Sequence, residues 1–116
     1  MALTEAQTVL AHTMTEKQLL AHVRDAARTF GWRVHHCRPG LHRKGQWSTP
    51  IQGDPGFCDL VLLRGEIGLA VELKREGKEP TPAQEGWLQA FRVAGFETHV
   101  ILPRDWLSGA VERILR

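Results

Sequence analysis

The apolar positions divide the chain into short segments that switch between helical and strand period. Leu20, Val23, Ala27 and Phe30 recur at spacings of three and four, as on one face of a helix. Thr15 and Gln18 form a capping box ahead of them and Gly31 supplies a left-handed stop, which predicts a helix over 15–30. Carried back one turn from Leu20, the stripe reaches Glu16, so a carboxylate leaves the first turn in the direction of the core. Residues 32–36 read as a short strand and 58–63 as a second, apolar almost throughout after Asp59. Two glycines within 64–68 mark a turn. Leu69, Val71 and Leu73 then alternate with Ala70, Glu72 and Lys74, predicting a third strand over 69–74 with two distinct faces. Thr81, Pro82 and Gln84 open a second helix as N-cap, N1 and N3, its apolar face is Trp87, Leu88, Phe91 and Ala94, and Gly95 ends it. Residues 96–102 read as a fourth strand. From Pro103 a final helix carries Trp106, Leu107, Ala110, Val111 and Ile114 at helical spacing.

This order predicts an α/β domain, a mixed four-stranded sheet flanked by helices. A chain of 116 residues has room for one core, so 15–116 is read as a single domain. Residues 1–14 are read as an N-terminal extension, either a short helix or a leader to an alternative start at Met14. No apolar run approaches the roughly 18–20 residues of a membrane span, and the basic flank and apolar stretch of a secretory signal are missing. Cys37 and Cys58 form no CxxC pair, which predicts reduced thiols and a cytoplasmic setting.

Net charge is only +2, but its distribution is uneven. No acidic residue falls between Asp25 and Asp54, while Arg28, Arg33, His35, His36, Arg38, His42, Arg43 and Lys44 do. A one-sign stretch of this kind reads either as an anion-binding surface or as a solvated basic loop. Most of it lies in 37–56, a long connection of a length that is usually functional or disordered.

The chemistry centres on Asp59, Glu72 and Lys74. Glu72 and Lys74 are two apart on one strand and leave from the same face, and a short turn pairs that strand with the one Asp59 begins. Two carboxylates on adjacent strands suit a hard cation such as Mg²⁺ or Mn²⁺. Such an ion polarises a phosphodiester and lowers the pKa of a bound water, with Lys74 available to act on the nucleophile or neutralise developing charge.

This pattern resembles the PD-(D/E)xK nuclease superfamily, and more narrowly its VRR-NUC group. Gly56-Phe57-Cys58-Asp59, Glu72-Leu73-Lys74 and Thr81-Pro82-Ala83-Gln84, followed by Trp87 and Gly95, stand where that group has Gly-x-Pro-Asp, Glu-x-Lys and a downstream Gln. Cys58 replaces the proline, a backbone device rather than a ligand. The resemblance implies the restriction-endonuclease-like αβββαβ core over 15–102. It implies Asp59, Glu72 and the Leu73 carbonyl as metal ligands, with Glu16 reaching the metal directly or through water. Lys74 would act on the nucleophile and Gln84 would orient the site. It further implies an endonuclease that hydrolyses DNA phosphodiesters, of a kind found in viruses and phages and thus in bacterial or virus-infected host cells. Branched substrates such as four-way (Holliday) junctions, and a homodimer matched to their two-fold symmetry, belong to the same implication.

Each residue also has a plainer reading. Glu72 and Lys74 read as a solvated same-face pair, Glu16 as a negative charge favoured at a helix N-terminus, Gln84 as a cap and Asp59 as a turn residue. His35, His36, Cys37, His42 and Cys58 raise a zinc-stabilised interaction domain, but adjacent strand histidines face opposite ways and no paired ligand spacing supports it. His36, Arg38, His42, Arg43 and Lys44 are read as phosphate contacts that position DNA without reading its sequence. Trp47 is read as stacking on an unpaired base or as packing, and Trp32, Trp87 and Trp106 as core. A DNA-binding module of the same fold without catalysis is the other alternative, against which stands the full set of Asp59, Glu72 and Lys74.

Overall fold

The structure is a computed structural model that describes residues 2–37 and 53–116. Helix α1 spans Glu5–Thr13 and α2 spans Glu16–Thr29. The capping box of α2 forms as its sequence predicts: Gln18 N–H donates to Thr15 Oγ1 at 3.1 Å and Thr15 N–H to Gln18 Oε1 at 2.9 Å. The buried face of α2 is Leu19, Val23 and Ala27, while Leu20 and Phe30 pack at its rim. Adjacent leucines offer the helix two phases, and packing selects Leu19 rather than Leu20. Val23 and Ala27 are buried as the stripe expects, Leu19 takes the place it gives to Leu20, and Glu16, expected to point toward the core from the first turn, is exposed.

Strands β1 (Arg33–His36), β2 (Leu60–Arg64), β3 (Ile67–Leu73) and β4 (Glu97–Ile101) form a sheet in the order β1-β2-β3-β4 among the described residues. The first two pairings are antiparallel and β3 with β4 is parallel, so the sheet is mixed. Helix α3 (Pro82–Val93) makes the crossover between β3 and β4, with the predicted Thr81–Gln84 capping box in place. The expected final helix is two, α4 (Pro103–Leu107) and α5 (Ala110–Leu115). Gly109, at φ 85°, breaks the run that the apolar spacing reads as continuous.

Alternation along β3 feeds two cores. Leu69, Val71 and Leu73 join α2, α5, Leu60, Leu62 and Ile101 on one face. Ala70 packs with Cys58 and Leu88 on the other, under α3. Trp32 is buried as expected, whereas Trp87 and Trp106 are half-buried. The Arg64 guanidinium closes the larger core. It donates to the carbonyls of Phe30 (2.9 Å), Leu115 (3.0 Å) and Arg116 (2.9 Å) and lies 4.2 Å from the centre of the Trp32 ring. One side chain thus satisfies carbonyls at the ends of both α2 and α5.

Helix α1 is integrated with the domain: Ala11 is buried and Gln7 Nε2 donates to the Leu107 carbonyl at 3.3 Å. Among the described residues no helix is long and apolar enough to cross a membrane.

Candidate active site

The site lies where β2 and β3 part, at the C-terminal end of β3. Register places Leu60 opposite Val71, so Asp59 stands beside Glu72 on the neighbouring strand. The last rung of that ladder is made by a side chain: Leu73 N–H donates to Asp59 Oδ2 at 2.8 Å. The β2 backbone departs here, and the carboxylate occupies the acceptor position a strand carbonyl would fill. On the opposite side of β3, Lys74 N–H donates to the Ile101 carbonyl on β4 at 3.1 Å. N–H and C=O of one trans peptide point oppositely, so the Leu73 carbonyl is directed back toward Asp59. Asp59, Glu72 and the Leu73 carbonyl therefore share one corner of the sheet.

Glu72 is the most unusual residue of the chain. It is 1% exposed, the sole charged type in the buried set among the described residues, and its Oε2 has no hydrogen-bond partner. Burial pushes its carboxyl up to about 8, helped by hydrogen bonding to and the charge of Asp59. The Lys74 ammonium opposes that rise and the more distant Glu16 charge adds to it. The plainer alternative, a solvated Glu72–Lys74 pair, therefore fails for Glu72, whose face is covered by α3.

Beneath Glu72 lies Cys58, whose thiol donates to the Leu60 carbonyl at 3.4 Å. Burial first, and then the Glu72 charge, push this thiol up to about 12, so it stays protonated and makes a poor zinc ligand. Among the described residues no group of three or more His, Cys, Asp or Glu side chains is placed to hold a metal ion. The acidic set that converges is the pair Asp59 and Glu72, completed only by the backbone oxygen of Leu73. Glu16 is felt at Glu72 as a charge, from the exposed first turn of α2.

Gln84 is half-buried, and its Oε1 accepts from Thr81 N–H at 2.9 Å. Its oxygen is committed to the cap and its amide nitrogen is what remains for a ligand. The approach to Asp59 is fixed by Gly56, at φ 96°, where a Cβ would fall 2.5 Å from the Ala83 carbonyl carbon. The loop thereby lies flush on the first turn of α3. Phe57 anchors it, meeting Trp87 at 4.9 Å and Phe91 at 5.6 Å between ring centres, and Trp87 Nε1 donates to the Asp54 carbonyl at 3.1 Å.

Of the basic residues expected to contact DNA, Arg38, His42, Arg43 and Lys44 lie outside the described residues, as does Trp47. His36 pairs with Leu60 and so faces the α2 side of the sheet, away from the face that bears Glu72. His35 and Arg33 pair with Val61 and Leu63 and share the α3-side face. Strand alternation separates His35 from His36, but only the register says which of them shares the face that bears Glu72. A larger surface concavity of about 690 Å³ lies between α1, α2 and α4, lined by Leu10, Met14, His22 and Trp106 among others, with no acidic group. No family model, curated protein or solved structure matches the chain.

Proposed function

We propose that this protein is a divalent-cation-dependent DNA endonuclease of the PD-(D/E)xK type, similar to the VRR-NUC group. The observation that carries the reading is the buried carboxylate oxygen of Glu72, which has no partner and stands beside Asp59 on the adjoining strand. Only the Oε2 oxygen lacks a partner, and with its carboxyl pushed up to about 8 by burial Glu72 keeps its proton in the absence of an ion; a cation at that corner would replace that proton and fill the open oxygen. The succession α2, β1, β2, β3, α3, β4 supports a restriction-endonuclease-like core.

Asp59, Glu72 and the Leu73 carbonyl would hold the ion, an oxygen set suited to Mg²⁺ or Mn²⁺. Glu16 would act from further out, through water. Bound there, the ion would polarise the phosphodiester and lower the pKa of the attacking water. The Lys74 ammonium, two residues from Glu72, holds the water and stabilises the negative charge that builds on the phosphoryl oxygens. Water oxygen bonds to phosphorus and gives up a proton to solvent, the P–O bond to the leaving sugar oxygen breaks, and that oxygen takes up a proton from solvent. The N-terminus of α3, with the Gln84 amide, faces the same end of the sheet and favours an anionic substrate. Branched DNA and a homodimer acting on its two arms are the substrate and assembly this reading carries with it.

The test is a cleavage panel in Mn²⁺ on single strands, duplexes, flaps and four-way junctions, with Glu72→Ala as the matched control. Cleavage that chelator and the substitution both abolish supports the reading. Equal cleavage by Glu72→Ala overturns it, because the activity then comes from elsewhere.

A further inference from the structure

The face of the sheet that bears Glu72 is only half covered among the described residues. Helix α3 lies over β3 and β4. The β1–β2 half presents Arg33 and His35, both exposed, and Leu63, a large apolar side chain left 45% exposed. Register lines these up in rows: Arg33 beside Leu63, His35 beside Val61, and at the end of the next row Asp59 beside Glu72. Arg33 forms no ion pair among the described residues. The face positions of β1 and β2 carry no acid before Asp59. A basic and apolar strip therefore runs straight to the acidic pair.

We infer that this half-face, which no described helix covers, is the track for the DNA strand, with Arg33 and His35 contacting phosphates on one side of the scissile bond. The inference rests on the nuclease reading and adds to it the surface that holds the substrate. Gly56 packs flush on Ala83 in the first turn of α3, and β2 and β1 offer the surface that extends from the acidic pair on the other side. Strands about 4.8 Å apart and same-face residues about 7 Å apart put His35 roughly 12 Å and Arg33 roughly 17 Å from Glu72 along the backbone surface. At about 3.4 Å of axial rise per nucleotide, that is a stretch of roughly three to five nucleotides. Charge selects the occupant: the Arg33 guanidinium and the His35 ring, a hydrogen-bond donor, beside an apolar side chain fit a polyanion with apolar sugars, and phosphate contacts position it without demanding sequence.

The experiment is fluorescence anisotropy of a labelled DNA duplex bound by the full chain in EDTA, across a salt titration, so that cleavage plays no part. Arg33→Ala is compared with Arg113→Ala, which removes the same charge from the solvent side of α5. Both positions are exposed, and circular dichroism checks that both variants fold. Arg33→Ala is expected to weaken binding about three- to tenfold and to lower the slope of log K against log salt by about 0.9, with a smaller loss for His35→Ala. Identical affinity and slope in Arg33→Ala and Arg113→Ala overturn the inference, and so does a wild-type protein that does not bind DNA. Binding through Arg33 without any Mn²⁺-dependent cleavage would leave this track standing and remove the nuclease reading. Glu72-dependent cleavage with Arg33→Ala binding unchanged would do the reverse.

Discussion

Asp59 and Leu73 complete the sheet between them, a carboxylate oxygen standing where a backbone oxygen would accept, 2.8 Å from the Leu73 amide nitrogen. On the proposed reading Asp59 has two duties, the acceptor role seen here, which any acceptor of its shape performs, and a metal-holding role, which needs its charge. Asn retains the acceptor and Ala removes it. Asp59→Asn is expected to fold with nearly wild-type stability and to be inactive, while Asp59→Ala loses about 1–3 kcal/mol as well. Urea denaturation beside a Mn²⁺ cleavage assay separates the two; wild-type cleavage by Asp59→Asn would remove the charge from the mechanism.

Glu72 makes stability depend on pH with a definite sign. Its carboxyl is pushed from 4.5 to about 8 in the folded chain, chiefly by burial. Between those values the folded chain keeps a proton that the unfolded chain has lost, so stability falls as pH rises through that window and levels off above it. The effect is on the order of a few kcal/mol. In metal-free buffer the melting temperature should decline from about pH 5 to pH 8. Glu72→Gln should flatten that decline and melt higher than wild type at pH 8. Parallel profiles for the two proteins would show that Glu72 is not the group responsible.

The loop that delivers Asp59 depends on Gly56. A methyl group there meets the Ala83 carbonyl carbon at 2.5 Å and is held at a positive φ. Gly56→Ala is expected to cost about 2 kcal/mol or more and to lower cleavage further by shifting Asp59. Chemical denaturation measures the first effect, and stability equal to wild type would contradict the close approach.

Arg64 lies far from the acidic pair and holds the fold. Arg64→Met keeps much of the side-chain volume but loses three hydrogen bonds to carbonyls and the contact over Trp32. A loss of about 2–4 kcal/mol is expected, with DNA cleavage per folded molecule unchanged at low temperature. A melting temperature within a degree or so of wild type would contradict it.

Much of this architecture is written locally. The Thr15–Gln18 and Thr81–Gln84 boxes start α2 and α3 where their sequences say, and the alternation on β3 correctly sends Leu69, Val71 and Leu73 to one core and Ala70 to the other. Thr4 and Gln7 carry the same signal and cap α1 in the same way. What local pattern could not supply was the outcome of long-range packing. Leu19 and Leu20 are equivalent until the sheet chooses between them. Gly109 ends a helix because its backbone turns left-handed, though the apolar spacing runs on through it. The facing of His35 and His36 depends on pairing with β2, more than twenty residues away, and the partners of Arg64 lie 34 to 52 residues distant. At the site, the sequence pointed to Asp59, Glu72 and Lys74 as a set, but the burial of Glu72 comes from α3 closing over it.

The most direct test of the acidic corner is a calorimetric titration of Mn²⁺ into the purified protein near pH 7, in two buffers of different ionisation enthalpy. One binding event that releases close to one proton is expected, because the Glu72 carboxyl, pushed up to about 8 by burial, is protonated there before the ion arrives, and no binding by Glu72→Gln. Absence of binding by the wild type, or equal binding by Glu72→Gln, would contradict it.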